Sequence, residues 1–444
     1  MITKDTVPRT INFIRNSATI KVASIGFLVA LLLIPTSMIS GLVRERSSTR
    51  DEVIQEISQK WGDRQVITGP FLCVPFESTE IEKNGKSKSR ILYVNILPES
   101  LQISGQIVPH IRYRSIYEAV LYQTQIDISC RFSLPKPDQL SVPVEKIFFD
   151  KATFSIGVTD MSGIKENITI QFNDQIFKGG PGLKTTDIAA SGVSCVVPLS
   201  PSSLKLDFNT KLSLNGSQEL QFIPVGEITS VQLTSEWTSP SFKGAFLPEN
   251  PTLTDKGFSA NWHILHLNRN FPQFWVGNQY QVHGSAFGLK LLVTADVYQK
   301  LTRIVKYALM FIIFTFSAFF LSEIIHQKRV HPIQYMLIGF AIVLFYALLL
   351  SISEHLNFNL SYALSALAIT TIITGYSKAI LRSYYFALTV FGIMVTLYGY
   401  LYIVLQLADY ALVMGCIGLF LILATIMYIT RKIDWYSLNE DMKL

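Results

Sequence analysis

Long apolar runs separated by short loops fill the chain after Lys306, and basic residues recur at every second boundary between them. Lys328/Arg329, Lys378/Arg382 and Arg431/Lys432 mark these alternate loops, whereas Glu354/His355 and Asp409 mark the others. A soluble core has no place for several segments of this length and uniform apolarity, so the chain is expected to cross a membrane repeatedly. Because cytoplasmic loops collect Lys and Arg, the three basic pairs are expected inside and Glu354, His355 and Asp409 outside.

An earlier apolar run, residues 22–43, lies between Lys21 and Arg44 and is long enough for one crossing. Lys4, Arg9, Arg15 and Lys21 precede it, so the N-terminus is expected in the cytoplasm. Residues 35–41, Pro-Thr-Ser-Met-Ile-Ser-Gly, carry no small-residue cleavage pair, which reads as an uncleaved anchor. The other runs are 307–322, 332–353, 356–377, 383–408 and 410–430. Six transmembrane α-helices follow, with both termini cytoplasmic. The expected order is a cytoplasmic segment 1–21, helix 22–43, an external domain 44–302, a five-helix bundle 303–430 and a cytoplasmic tail 431–444. Lys300, Arg303 and Lys306 stand against the charge rule, since this order leaves them outside.

Charged residues make up 16% of the chain against roughly 25% in soluble proteins, and most lie before the second span. The net charge of +6 is spread over membrane boundaries, which topology already explains, so no nucleic-acid partner is expected.

Residues 44–302 alternate apolar and polar side chains. Ile126, Ile128, Cys130, Phe132 and Leu134 have period two, as do Phe154, Ile156 and Val158; Ile168, Ile170 and Phe172; and Leu204, Leu206 and Phe208. Each set reads as a half-buried strand, giving a mainly antiparallel β domain, as one large unit or two smaller ones. Asn215-Gly216 between Leu212/Leu214 and Leu220/Phe222 predicts a hairpin turn. Val53, Ile54, Ile57 and Trp61 have helical spacing and predict a short amphipathic helix over 51–61. The polar run 82–90 reads as a solvated hairpin tip.

No catalytic constellation emerges, and no cofactor is expected. The loop Gly180-Pro181-Gly182-Leu183-Lys184-Thr185 lacks the Gly before Lys that a phosphate-binding loop needs, and Gly284-Ser285-Ala286-Phe287-Gly288 places Ser at the wrong position for a nucleophile elbow. His263, His266 and His283 have no Cys or acidic residue at ligand spacing and read as surface residues. Cys73, Cys130 and Cys195 could form at most one internal disulfide, and unpaired buried thiols are the simpler expectation.

Two polar clusters in the membrane half are the candidate functional or structural positions. Glu323, His331, Gln334 and Tyr335 flank one loop; Glu354 and His355 close the far end of the helix that starts near Tyr335. Nineteen residues at about 1.5 Å each separate Tyr335 from Glu354, so the clusters cannot form one site. The span ending near Ser322 is short unless it includes Glu323, whose carboxyl must then find a partner or water; His331 and Gln334 are the expected partners.

The run His331-Pro332-Ile333-Gln334-Tyr335, continuing through Phe345-Tyr346 and Leu348-Leu349-Leu350 to Ser353-Glu354-His355, resembles the signature of the CreD family of bacterial inner-membrane proteins. The likeness extends to Leu31-Leu32-Leu33-Ile34-Pro35, Glu45-Arg46, Leu97-Pro98-Glu99, Trp237 with Pro240-Ser241-Phe242 and Phe246-Leu247-Pro248, Leu267-Asn268-Arg269 with Phe271-Pro272-Gln273, and Ile433-Asp434-Trp435-Tyr436. The resemblance implies an envelope-integrity or envelope-stress factor in the inner membrane, with domain 44–302 in the periplasm. It brings no catalytic residue. The motif prolines read as turns, and Trp237, Phe242 and Phe246 as core.

The leading expectation is a non-enzymatic protein in contact with membrane lipids, whose periplasmic domain binds another envelope protein or cell-wall component. The alternatives are a transporter or channel using polar residues of the membrane bundle, Glu323 and the Glu354-His355 end of the next span, and a membrane enzyme acting on lipid or peptidoglycan.

Overall fold

A computed structural model describes residues 18–81, 87–135, 146–200, 206–292, 297–326, 330–407 and 410–431. Lys328, Arg329, Asp409, Lys432, the first seventeen residues, most of the loop 82–90 and the tail beyond Arg431 lie outside the described residues. The chain divides into two compact units: Met1–Thr49 with Ala295–Leu444, and Arg50–Thr294.

Helix α1, Ala18–Trp61, is 44 residues long. The amphipathic stretch expected as a separate short helix is its last part. Residues 44–50, Arg-Glu-Arg-Ser-Ser-Thr-Arg, hold neither Gly nor Pro, so nothing stops the helix where the apolar run ends.

The membrane unit continues with α2 (Val297–Lys306), α3 (Ala308–His326), α4 (Pro332–Ser353), α5 (Phe358–Leu381), α6 (Tyr384–Gln406) and α7 (Ala411–Thr430). Among the described residues, four helices are individually long and apolar enough to cross a membrane: α1, α4, α5 and α6. A fifth crossing results if α2 and α3, bent by 44° at Tyr307, count as one broken span. The sequence did not announce α2. It buries Tyr298, Leu301, Ile304 and Val305 on one face, leaving Arg303 and Lys306 exposed and Lys300 half-buried over the Phe358 ring. The three cations that stood against the charge rule thus belong to an amphipathic helix that precedes the apolar one.

The other unit is built from strands. β1 (Gln65–Ile81), β2 (Ser87–Ile96), β3 (Ser100–Arg114) and β4 (Tyr117–Phe132) are the long ones. β5 (Thr153–Val158), β6 (Thr169–Phe172), β7 (Gln175–Lys178), β8 (Gly180–Pro181), β9 (Gly192–Val196) and β10 (Leu206–Ser217) follow. β11 (Glu219–Ile223), β12 (Ile228–Ser235), β13 (Pro240–Gly244), β14 (Glu249–Thr254), β15 (Gly257–Leu265), β16 (Phe274–Val276) and β17 (Phe287–Leu291) complete the set. One sheet runs β13-β17-β11-β1-β5-β9-β8, with β2 added to β1 and β16 to β2; the other runs β14-β15-β12-β3-β4-β10-β6-β7. Most pairs are antiparallel, but β1 with β11 and β12 with β3 are parallel, so both sheets are mixed.

One hydrophobic core joins the sheets, which makes a single β unit. Phe154 of the first sheet stacks on Phe208 of the second at 4.8 Å, and Phe208 stacks in turn on Phe172 at 4.5 Å. Such offset aromatic contacts add to simple area burial. From Thr124 to Phe132, β4 alternates cleanly between core and solvent, as its sequence period requires, whereas Ala119–Tyr122 is buried on both faces. β5 is instead buried along its whole length, because β1 and β9 flank it within the sheet and other segments cover both faces.

Asn215-Gly216 is not a turn. Both residues pair within β10, opposite Gln123 and Tyr122 of β4, and the chain leaves β10 for the other sheet at Gln218, whose φ is 58°. Gly216 is needed for packing: a Cβ there would overlap the Tyr122 ring, whose hydroxyl donates to the Glu219 carbonyl at 2.8 Å.

Candidate functional site

Glu323 lies near the end of α3 and is almost fully buried. Its carboxylate pairs with the Lys21 ammonium of α1, accepts from the Val330 backbone N–H at 3.1 Å and accepts from the Tyr335 hydroxyl of α4 at 3.2 Å. One acidic group thereby joins α1, the segment before α4, and α4 itself. Phe316 and Phe319 pack edge-on against the Tyr335 ring at 5.4 and 6.3 Å, which keeps its hydroxyl aimed at the carboxylate.

His331 and Gln334 are not the partners of Glu323. The N-terminus of α4 leaves backbone N–H groups without intrahelical acceptors, and these two side chains lie nearest to it. His331 Nδ1 accepts from the Ile333 N–H at 3.3 Å, while Gln334 Oε1 accepts from the His331 N–H at 2.9 Å, a reciprocal cap with Pro332 in the first turn. Of the three residues expected around Glu323, Tyr335 reaches its carboxylate, while His331 and Gln334 pair with each other.

At the opposite end of α4, Glu354 faces Arg46 Nε at 3.7 Å and accepts from the Tyr298 hydroxyl of α2 at 3.3 Å. His355 is exposed and continues the helix end through its backbone N–H to the Ile352 carbonyl at 3.1 Å. The two clusters are therefore separate, as the length of α4 requires. Both take their cation from α1, where Lys21 and Arg46 are 25 positions and about 37 Å of helix apart. Between them, Gly339 lets α1 approach closely, since a Cβ there would overlap the Leu32 side chain.

Sequence reasoning nominated the acids and missed the partners Lys21, Arg46 and Tyr298. A depth argument could have found the cations. Lys21 and Glu323 both sit at the ends of apolar runs on one side of the bundle, and Arg46 and Glu354 both sit at the other, so each pair shares a level in the membrane.

In the β unit, His263 Nδ1 lies 3.3 Å from Ser230 Oγ and His266 Nδ1 lies 3.9 Å from Glu227. Among the described residues, no group of three His, Cys, Asp or Glu side chains is placed to hold a metal ion. The segment 180–185 forms β8 and a turn with no helix behind it, so it has no phosphate-binding geometry.

Cys73, Cys130 and Cys195 are free and buried. Burial pushes the Cys73 thiol up to about 12 and Cys195 to about 11, and raises Cys130 as well. All three are therefore protonated and inert at neutral pH. Maleimide should leave them unmodified in the native protein and label them after denaturation without reductant; labelling that requires prior reduction would instead reveal a disulfide.

The motif residues quoted for the family resemblance have legible structural work in this unit. Arg269 is buried, and among the described residues no carboxylate forms an ion pair with it: its guanidinium donates to the carbonyls of Phe271 at 2.5 Å and Val225 at 3.1 Å, and to the Gln273 side chain. Gln273 passes the tie on, donating to the Pro98 carbonyl at 2.8 Å. Desolvation lowers the Arg269 pKa to about 10 while Glu227 opposes the shift, so the group stays charged at neutrality. Asn268 caps its own turn by accepting from the Leu265 N–H at 3.0 Å. Phe242 packs against Phe258 and Trp262, and Phe246 against Phe287, so these motif aromatics, expected as core, are half-buried and pack against it from outside, as Trp237 does. Pro240, read as a turn residue, opens strand β13 opposite Leu291.

The family model described as "Inner membrane protein CreD" matches residues 17–436. The Inner membrane protein CreD of Escherichia coli (strain K12) is 31% identical over 429 residues, covering 94% of each chain. A solved M1 zinc metallopeptidase from Deinococcus radiodurans is 10% identical, over 48% of this chain and 53% of its own, at a TM-score of 0.21, too low to bear on fold or activity. With the match running through both the membrane helices and the β unit, the chain belongs to the CreD family of inner membrane proteins.

Proposed function

We propose that the protein is a non-enzymatic envelope-integrity factor: a six-span anchor with cytoplasmic termini that holds a periplasmic β unit, which binds another component of the envelope. The observation that carries this reading is the double clamp on α1. The two carboxylates that a flux pathway would have used, Glu323 and Glu354, are each engaged by a cation of α1 and a tyrosine hydroxyl. Charges committed to holding helices together suit a scaffold better than a pathway, where a carboxylate must exchange partners. The sixth span in this reading is α7, a 20-residue helix of mostly apolar sequence.

Topology is tested with reporter fusions at the exposed turn Asp255-Lys256 and at Leu444. Phosphatase should be active at the turn and inactive at the C-terminus; the reverse pattern would overturn the orientation. Partner binding is tested by placing photo-crosslinking residues across the exposed strands of the β unit in intact cells. A discrete adduct is the expected result, and its absence from every position in a folded, membrane-inserted protein would remove the basis of the reading.

A further inference from the structure

The solvent face of the eight-stranded sheet has an unusual chemistry. Register places side chains in rungs across five strands, β15, β12, β3, β4 and β10. One rung reads His263, Ser230, Gln102, Ser129, Asn209; the next reads Asn261, Gln232, Ser104, Asp127, Lys211; a third reads Ser259, Thr234, Gln106, Gln125, Ser213. All fifteen are exposed or half-buried. Two of them carry a full charge, and these neutralise each other: Lys211 Nζ lies 3.3 Å from Asp127.

Strand preference does not explain this choice. Exposed strand positions favour β-branched and aromatic residues, and Asn is disfavoured there. Amides and hydroxyls repeat nonetheless, and among the described residues the amides of Gln102, Gln125 and Gln232 make no hydrogen bond to another protein group. The face is also hollowed. An open cleft of about 450 Å³ is lined by Gln102, Ser104, Asp127, Ser129, Gln232 and Asn261, with Glu249 of the edge strand at its rim opposite Asn261.

We propose that this cleft and its rungs bind a neutral polyhydroxyl chain, the chemistry of a glycan strand. The inference rests on the reading that the β unit engages an envelope component, and names its class. A polyanion would need clustered Lys and Arg, which the rungs lack. A protein partner would need an apolar centre with aromatic or Arg anchors, which they also lack. Sugar hydroxyls both donate and accept, as does each side-chain amide, and a carboxylate such as Glu249 accepts from two neighbouring hydroxyls at once. Strands about 4.8 Å apart repeat these groups across the sheet, so successive sugars can meet the same chemistry.

The test uses the full-length protein in a detergent without a sugar headgroup, titrated with an N-acetylglucosamine tetramer and separately with maltoheptaose. Saturable binding of at least one, insensitive to salt, is expected. Gln102→Ala with Gln232→Ala should weaken it about tenfold without lowering the unfolding temperature, whereas Lys256→Ala, outside the cleft, should leave it unchanged. Which sugar binds separates a cell-wall type of glycan from a plain glucan. No saturation with either sugar, or equal affinity in the double variant, overturns the proposal. A photo-crosslinker at Ser104 that captures a protein overturns it too while leaving the proposed function standing; failure of sugar binding together with every crosslink in the β unit overturns both.

Discussion

Replacing Glu323 by Leu is expected to destabilise the detergent-solubilised protein by about 2–3 kcal/mol, more than any other single change in the membrane unit. Removing one partner of a fully dry ion pair costs roughly 3–5 kcal/mol because the other charge is left stranded. The value here is set lower because the Lys21 side chain keeps 26% of its exposure and can recover some hydration. Glu323→Gln should be milder, since the amide oxygen can still accept from the Val330 N–H while the amide nitrogen donates to the Tyr335 hydroxyl. The discriminating variant is the double change Lys21→Met with Glu323→Leu. If the two groups form one clamp, removing both should be less damaging than Glu323→Leu alone, because no unpaired charge remains. Thermal unfolding of the wild type, Glu323→Leu, Glu323→Gln, Lys21→Met and the double variant, with Lys256→Ala as a surface control, decides it. Additive losses in the double variant would mean that Lys21 and Glu323 act independently.

Arg269→Ala should destabilise the β unit by about 3–5 kcal/mol, because the change strands several buried carbonyl groups and the Gln273 side chain at once. The guanidinium joins three segments that are distant in sequence: the turn at Val225, the loop at Phe271 and, through Gln273, the chain at Pro98. Arg269→Lys should recover less than half of the loss, since a single ammonium cannot reach diverging acceptors as a planar fork does. Trp275 is buried against Phe271, so its fluorescence reports directly on this loop. Unchanged emission and unfolding in Arg269→Ala would show that the carbonyls find other donors and that the clamp is dispensable.

The membrane class, the ends of α4 and α6 and the strand character of segments such as 126–132 were legible in the sequence. Each depends on a local period: a run long enough to span hydrocarbon, or alternation with a two-residue repeat. Periodicity reports which face of an element is apolar, and burying that face is the dominant free energy the element can gain. It does not report what the element meets. Glu323 was recognisable as an acid in need of a partner, but its partner lies 302 positions away on α1, and nearer candidates were already claimed by the cap of α4. Asn215-Gly216 satisfied every local condition for a hairpin, yet twelve ladder pairs with β4 carried β10 through it and moved the corner to Gln218. The Arg269 clamp gave no local signal beyond its motif, since its acceptors are backbone carbonyls, which every residue has and only the folded chain brings together.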